Sequence, residues 1–143
     1  MSTRSFIGRK VDFGFEAIYC HFDGYLAGVG TTLLKHYTTD EKVKQLLELG
    51  DISSLGSEIG EKHDFDNKTE ETANWTRAYH RDRGEEFRSR ISFNTLKEFV
   101  DCAKESWAEY IYLWDGTDWF VSTGGTFISL KTKLGAPLEA ANV

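Results

Sequence analysis

The order of apolar and polar residues near the start of the chain predicts a β-hairpin. Strand-like alternation runs from Ser5 to Val11 and again from Phe15 to Phe22, and the turn Asp12-Phe13-Gly14 separates the two arms. Because successive side chains of a strand point to opposite faces, Ile18 and Cys20 share one face of the second arm. Tyr19 and His21 share the other face.

Helical spacing replaces the alternation after residue 30. Apolar residues predict one helix over Thr31 to Tyr37, and a capping box of Thr38 and Glu41 begins the next, which Gly50 ends as a C′ glycine. A third, amphipathic helix follows Asn94 as its cap. Its apolar residues recur at helical spacing: Leu96, Phe99, Val100, Ala103 and Trp107.

The remaining segments indicate loops and further strands. Glu61 to Asn74 is polar and predicts a loop, whereas Trp75 to Ile91 begins with the alternation of a strand. A second hairpin joins Glu109–Trp114 to Trp119–Val121 through the turn Asp115-Gly116-Thr117-Asp118, and Phe127–Leu130 adds a last strand. The predicted fold is α+β, a mainly antiparallel sheet with about three helices packed on one face. It forms a single domain over residues 1–136, with a frayed C-terminal tail over 137–143.

Composition and charge narrow the class of protein. The 143 residues carry a net charge of −6, which argues against a general nucleic-acid binder because such proteins are normally basic. Aromatic residues make up 14% of the chain, enough for a core and for a binding face. Cys20 and Cys102 lack metal-ligand spacing and are expected as reduced thiols. With no apolar run long enough to span a membrane and no signal segment, a cytoplasmic location is expected.

The junction after the first hairpin is the first candidate site. It places His21, Asp23 and Tyr25 beside Gly28 and Gly30, just before a predicted helix. Free amides and the dipole at a helix N-terminus favour an anion, and the His and Asp side chains can hold a ligand. The alternative is local: Asp23 satisfies amides of the turn, and His21 is hydrogen-bonded nearby.

A His-Asp dipeptide in the polar loop is the second candidate. His63-Asp64 resembles the pair found in metal-dependent phosphohydrolases, but no second histidine and aspartate follow at suitable spacing. A solvated loop is the favoured interpretation. The sequence therefore predicts neither a metal site nor a cofactor.

The third candidate is a basic segment in an otherwise acidic chain. Arg77, Tyr79, Arg81 and Arg83 alternate, with His80 between them, so a strand would present the three arginines and the tyrosine on one face. Guanidinium groups suit phosphate or carboxylate oxygens, and an aromatic ring can stack a base. Intramolecular pairing with neighbouring acids is the equally weighted alternative.

The second hairpin carries aromatic residues on both sides. Tyr110, Tyr112 and Trp114 share one face, and Ile111 and Leu113 share the other. Core packing is the favoured interpretation, and a homodimer contact is the alternative.

These motifs together resemble a small, uncharacterised protein family of bacteriophages and prophages. The resemblance extends from Thr3 to about Val121, and the chain departs from the pattern at Phe22 and Leu26, where Trp and Pro are usual. It implies a phage origin, a location in the cytoplasm of the bacterial host, and a host-takeover or anti-defence role. The matching motifs are Thr3–Ile7, Tyr19–Leu26, Leu33–Tyr37, Leu49–Leu55, Gly60–Asp66 and Tyr79–Glu85.

Two functional hypotheses follow. In the first, the protein captures an anionic ligand, most plausibly a nucleotide signal of host immunity, with the arginines on phosphates and the His21–Tyr25 turn on the base or sugar. A variant of this hypothesis has it bind a host defence protein directly. In the second, it is a small phosphodiesterase or nucleotide hydrolase that uses a His-Asp pair. Capture is preferred because the chain lacks a compact catalytic motif.

Overall fold

The computed structural model describes residues 2–86, 90–123 and 125–134. The predicted tail, 137–143, lies outside the described residues. None of the helices in the described ranges is long and apolar enough to cross a membrane. In chain order the elements are β1 (Ser5–Val11), β2 (Gly14–Cys20), a π-helical turn (Leu26–Gly30), α1 (Thr31–His36), α2 (Asp40–Glu48), β3 (Ile52–Ser54), β4 (Arg77–Ala78), α3 (Tyr79–Arg83), β5 (Ile91–Phe93), α4 (Leu96–Glu105), β6 (Tyr110–Trp114), β7 (Trp119–Ser122) and β8 (Ile128–Ser129).

The described strands form one eight-stranded sheet in which most neighbours are antiparallel. The order is β4-β3-β2-β1-β6-β7-β8, and β5 pairs with β2 beside this path. Only the β1–β6 and β2–β3 pairs are parallel. The α+β class and the mainly antiparallel sheet are therefore confirmed, together with both predicted hairpins.

Helices cover both faces of the sheet, which corrects the expectation of a single covered face. Neighbouring residues of β1 separate the two layers, because Phe6 and Ile7 must point to opposite sides. Phe99 of α4 packs in the cluster of Phe6. Leu33 of α1 and Leu46 of α2 pack in the cluster of Ile7. A central sheet that is apolar on both faces needs such a second layer.

The caps of α2 and α4 lie one residue later than the sequence pattern predicts, whereas α1 begins at the predicted Thr31. Thr39, not Thr38, caps α2, and its side chain accepts the Lys42 N–H at 3.2 Å. Thr95, not Asn94, caps α4 in the same way. Where two adjacent polar residues can cap, the register of the apolar face decides between them.

The second hairpin packs in the core, which is the favoured interpretation of its sequence pattern. Tyr112 and Trp114 are buried, together with Trp119 of the return strand. The Trp119 indole donates to the Tyr37 carbonyl at 2.7 Å, and the Tyr112 hydroxyl donates to the Gly24 carbonyl at 2.7 Å. These buried rings therefore hold α1 and the first junction against the sheet.

Both cysteines are free thiols. Burial raises the pKa of Cys20 to about 12, so this thiol stays protonated at physiological pH. Burial also raises the pKa of Cys102. Neither thiol has the lowered pKa that marks a reactive cysteine.

Glu16 forms a charged triad with Arg9 and Arg90, and this triad makes the stability of the fold depend on pH. Arg9 and Arg90 donate to its two carboxylate oxygens at 2.6 and 2.7 Å. Burial raises the pKa of Glu16, but the hydrogen bonds from both arginines outweigh burial and leave it below the usual 4.5. The stabilisation is therefore complete above pH 4.5 and is lost as the pH falls through the lowered pKa.

Replacing Glu16 with glutamine should lower the free energy of unfolding by about 2 kcal/mol at neutral pH, because charged hydrogen bonds are lost. Urea unfolding at several pH values measures this. The difference from wild type should shrink below pH 4.5. Glu70→Gln, in an exposed loop, is the control and should change little. A difference that persists unchanged at pH 2 to 3 would contradict the assigned pairing.

Candidate functional site

The candidate site lies along the edge of β2 that faces away from β1, where no single strand pairs with the whole length of β2. On one edge of β2, β5 pairs with Phe15 to Ala17, and β3 begins only at Cys20. In the interval, the Tyr19 N–H donates to the Asp51 carboxylate at 3.1 Å instead of to a strand carbonyl. The interruption opens a pocket of about 300 Å³ beside Tyr19. Its lining residues are Tyr19, Leu49, Asp51, Tyr79, His80, Arg83, Glu85 and Glu86.

The basic segment on the other wall of the pocket is a helix, not the predicted strand. Only Arg77 and Ala78 are extended, and α3 begins at Tyr79. The helix ends at Gly84, whose φ of +74° is left-handed. The predicted alternation of arginines on one strand face is therefore wrong from Tyr79 onward, and α3 aims these side chains in different directions.

Asp82 is the physical reason for this helical turn. Its side chain is fully buried. Its carboxylate accepts the Ala78 N–H at 2.8 Å, the His63 N–H at 3.2 Å, and the Arg81 guanidinium at 2.8 and 3.0 Å. Reaching back from Asp82 to the amide of Ala78 requires the chain between them to turn.

Arg81 has a structural role and does not line the pocket. Besides Asp82, its guanidinium donates to the Thr76 carbonyl at 2.7 Å and to the Ile59 carbonyl at 2.9 Å. It thereby ties the long loop before β4 to α3. The alternative of intramolecular pairing is correct for this residue.

Arg83 lies over aromatic rings at the rim of the pocket. Its guanidinium carbon is 4.6 Å from the ring centre of Phe65 and 5.1 Å from that of Tyr79. It also pairs with the Glu85 carboxylate, and 46% of its side chain is exposed. Arg77 lies farther from the Phe65 ring, at 5.8 Å, and does not line the pocket. Of the three predicted arginines, only Arg83 lines this pocket.

The residues that line the pocket are more acidic than the sequence predicts. Asp51, Glu85 and Glu86 face a single arginine. Burial raises the pKa of Tyr19 and of Tyr79, so both hydroxyls stay protonated and can donate hydrogen bonds at neutral pH. The pocket thus combines two aromatic faces with carboxylate acceptors and one cation.

His21 connects to the pocket through Tyr19. The Tyr19 hydroxyl lies 2.6 Å from His21 Nδ1. Burial, and then the charge of Arg4, lower the pKa of His21, so the ring is neutral at pH 7. The hydrogen bond between these two groups fixes the position of the Tyr19 hydroxyl relative to His21.

The rest of the first junction forms a closed turn away from the pocket. The N–H groups of Gly28 and Gly30 both donate to the Tyr25 carbonyl, at 3.0 and 3.5 Å, and Val29 donates to Asp23. The Tyr25 hydroxyl donates to the Asp23 carboxylate at 3.2 Å. The amides expected to be free for an anion are therefore used inside the turn, and none of these residues lines the pocket.

At the second candidate, His63-Asp64, the structure gives the histidine and the aspartate separate partners. The His63 ring lies 3.4 Å from the carboxylate of Asp82, not beside Asp64, and Nδ1 is 2.7 Å from the Glu61 carbonyl. The Asp64 carboxylate accepts instead from the Asn67 side chain and the Asp66 N–H. Within the described ranges, no group of three His, Cys, Asp or Glu side chains is arranged to hold a metal ion.

No family model, curated protein or solved structure matches this chain. The likeness to a phage family therefore stays a prediction, and the site is defined by its own geometry. That geometry includes Asp51 and Glu86, which the sequence analysis missed. Asp51 directly follows the helix-ending Gly50, and this position was the available signal.

Proposed function

We propose that the protein binds a nucleotide of mononucleotide size in the pocket between β2 and α3. The observation that carries the proposal is the meeting of Tyr19, Tyr79, His80 and Arg83 around one cavity. Three of these four residues belong to the predicted basic segment, and the fourth is hydrogen-bonded to His21. The ligand is thus proposed to bind in this pocket and not at the helix entrance near Gly28 and Gly30, where the sequence predicts it.

Pocket size and chemistry favour a nucleoside with few phosphates. A volume of about 300 Å³ is at the lower end for small-molecule sites, which suits one base and one sugar. The tyrosine faces can stack a base, and carboxylates accept hydrogen bonds from ribose hydroxyls or from an amino group of the base. Arg83 is stacked on Phe65 and paired with Glu85, and its remaining guanidinium N–H groups can bind a phosphate.

We propose sequestration as the biological role of this binding. In the phage-encoded setting that the family resemblance implies, holding a nucleotide signal of host immunity would act as an anti-defence function in the host cytoplasm. Capture requires only that the pocket bind its ligand, and the aromatic rings and hydrogen-bonding side chains of the lining supply that binding. Hydrolysis of the bound nucleotide is the outcome that would overturn this role.

Isothermal titration against adenosine, AMP, cyclic AMP, ADP-ribose and inorganic phosphate tests the site. At least one nucleotide should bind, and phosphate alone should not, because stacking supplies much of the affinity. Tyr79→Ala should weaken binding about tenfold or more, since a base–aromatic stack is worth about 1–3 kcal/mol. Arg83→Gln should weaken AMP more than adenosine.

The matched control is Tyr25→Ala, an exposed tyrosine outside the pocket. It should leave the affinity unchanged. Circular dichroism of each variant confirms folding. Absence of heat with every nucleotide, or equal loss in Tyr79→Ala and Tyr25→Ala, would overturn the proposed site. Chromatography of the nucleotide after overnight incubation with Mg²⁺ or Mn²⁺ should return it intact.

A further inference from the structure

The outer face of α4 carries apolar side chains along an open groove. Leu96, Val100 and Lys104 are four residues apart, so they share one side of the helix. Phe127, on the segment before β8, faces them across the groove. Leu96 is 36% exposed, and Val100 and Phe127 are half-buried. The opposite side of α4 is buried against the sheet through Phe99 and Ala103.

The groove leads to a tryptophan in an unfavourable backbone conformation. Trp107 has a φ of +64° and is 78% exposed. Its N–H donates to Lys104 and that of Ala108 donates to Ala103, which is the hydrogen-bond pattern of a Schellman motif. Glycine normally occupies this left-handed position, and a bulky residue there is a clear outlier. Strained residues cluster at functional sites, so the exposed ring at this position is a candidate contact.

The groove and Trp107 belong to one continuous surface. Lys104 lines both the groove and the hollow beside Trp107, which also includes Arg4. Leu96 and Trp107 are eleven positions apart, or about 16 Å along the helix at 1.5 Å per residue. The surface therefore has a projecting ring at one end and an apolar recess at the other.

We propose that this surface binds a second copy of the chain, with the two α4 helices antiparallel about a twofold axis. Antiparallel pairing places Trp107 of each copy over Leu96, Val100 and Phe127 of the other. A projecting ring and a matching recess on one chain are what an isologous interface requires. This inference is independent of the nucleotide site.

Charges of both signs flank the groove under the same twofold axis. Lys97, Asp101 and Lys104 all line the groove. When Trp107 lies at the level of the second copy's Leu96, the axis passes between residues 101 and 102, so Lys104 comes within one helical turn of both Asp101 and Lys97 of the second copy, and Asp101 is the anion that can bridge the two lysines. Asp101 bonds Lys97 of its own helix at 2.8 Å, on the exposed surface, and can accept a second cation. Each dimer contains this contact twice.

Sedimentation velocity of the full chain tests the proposal. An interface built on one helix is small, so we expect reversible dimers with a dissociation constant on the order of micromolar. Trp107→Ala and Val100→Glu should each be monomeric at about 100 µM protein. Phe13→Ser, at the tip of the first hairpin and 94% exposed in the wild type, is the control and should dimerise normally.

Mixing the two monomeric variants is the more specific experiment. In an equimolar mixture, the Trp107 of Val100→Glu meets the intact groove of Trp107→Ala, so one of the two contacts is restored. A heterodimer weaker than the wild-type dimer should appear on native mass spectrometry, whereas neither variant dimerises alone. A wild-type chain that stays monomeric overturns the proposal, and so do a Trp107→Ala chain that still dimerises and a mixture that forms no heterodimer.

Trp107→Gly separates the effect on dimerisation from the effect on folding. Glycine relieves the left-handed strain, so this variant should unfold at a higher temperature than monomeric Trp107→Ala. It should nevertheless fail to dimerise. A Trp107→Gly chain that dimerises like the wild type would show that the ring is not the contact.

Discussion

Replacing Asp82 with alanine should lower the free energy of unfolding by about 3–5 kcal/mol, the largest effect of any single substitution considered. The variant removes a fully buried carboxylate that accepts from Arg81 and from the N–H groups of His63 and Ala78. Arg81 is then left without its anionic partner, and two amides lose their acceptors. Urea unfolding followed by circular dichroism measures the loss.

Asp66→Ala is the matched control for this prediction. Asp66 lies in the same loop region as His63 but is exposed, so its replacement should stay within about 0.5 kcal/mol of the wild type. Because Asp82 shapes α3, Asp82→Asn should also weaken nucleotide binding, although Asp82 does not line the pocket. An Asp82→Ala chain as stable as Asp66→Ala would contradict the assigned hydrogen bonds.

Replacing Gly28 with alanine should lower the free energy of unfolding by about 3 kcal/mol, at the upper end of the cost of overpacking. A Cβ at Gly28 would lie 2.3 Å from the carbonyl oxygen of Asp23, and that oxygen is backbone held by the Val29 N–H. The clash can be relieved only by moving the turn. Thermal or urea unfolding of the variant checks this result.

Gly125→Ala is the matched control, since a Cβ there has no described atom within 4 Å. Its stability should equal that of the wild type. Comparing Gly28→Ala with Gly125→Ala also decides whether the first junction is an anion site or a closed local turn. If Gly28 served an anion, its replacement would reduce affinity at unchanged stability, whereas the structure predicts reduced stability with the pocket chemistry intact.

Local patterns in the sequence predict most of the framework correctly. The first hairpin has a two-residue turn and clear alternation, and β1 has the predicted bounds. The helix α4 follows from its apolar spacing, and Gly50 has the left-handed φ, +76°, expected of a C′ glycine. These features depend on interactions between residues close in sequence, which is why a single chain reveals them.

Long-range contacts explain what the sequence does not predict. Residues 77–83 alternate like a strand, but the carboxylate of Asp82 collects partners as distant as His63 and imposes a helix. The pocket depends on where β3 and β5 leave β2, a register that no local pattern encodes. The arrangement of Asp51 opposite Tyr19 therefore emerges only in three dimensions.

A nitrogen–proton correlation spectrum recorded during titration with AMP tests the central claim most directly, because it locates the ligand. The account predicts that backbone amides at Tyr19, Asp51, Tyr79 and Arg83 shift on binding. Amides at Gly28 and Gly30 should stay in place. Shifts confined to the Gly28–Gly30 turn, or a spectrum unchanged at millimolar AMP and at millimolar ADP-ribose, would contradict it.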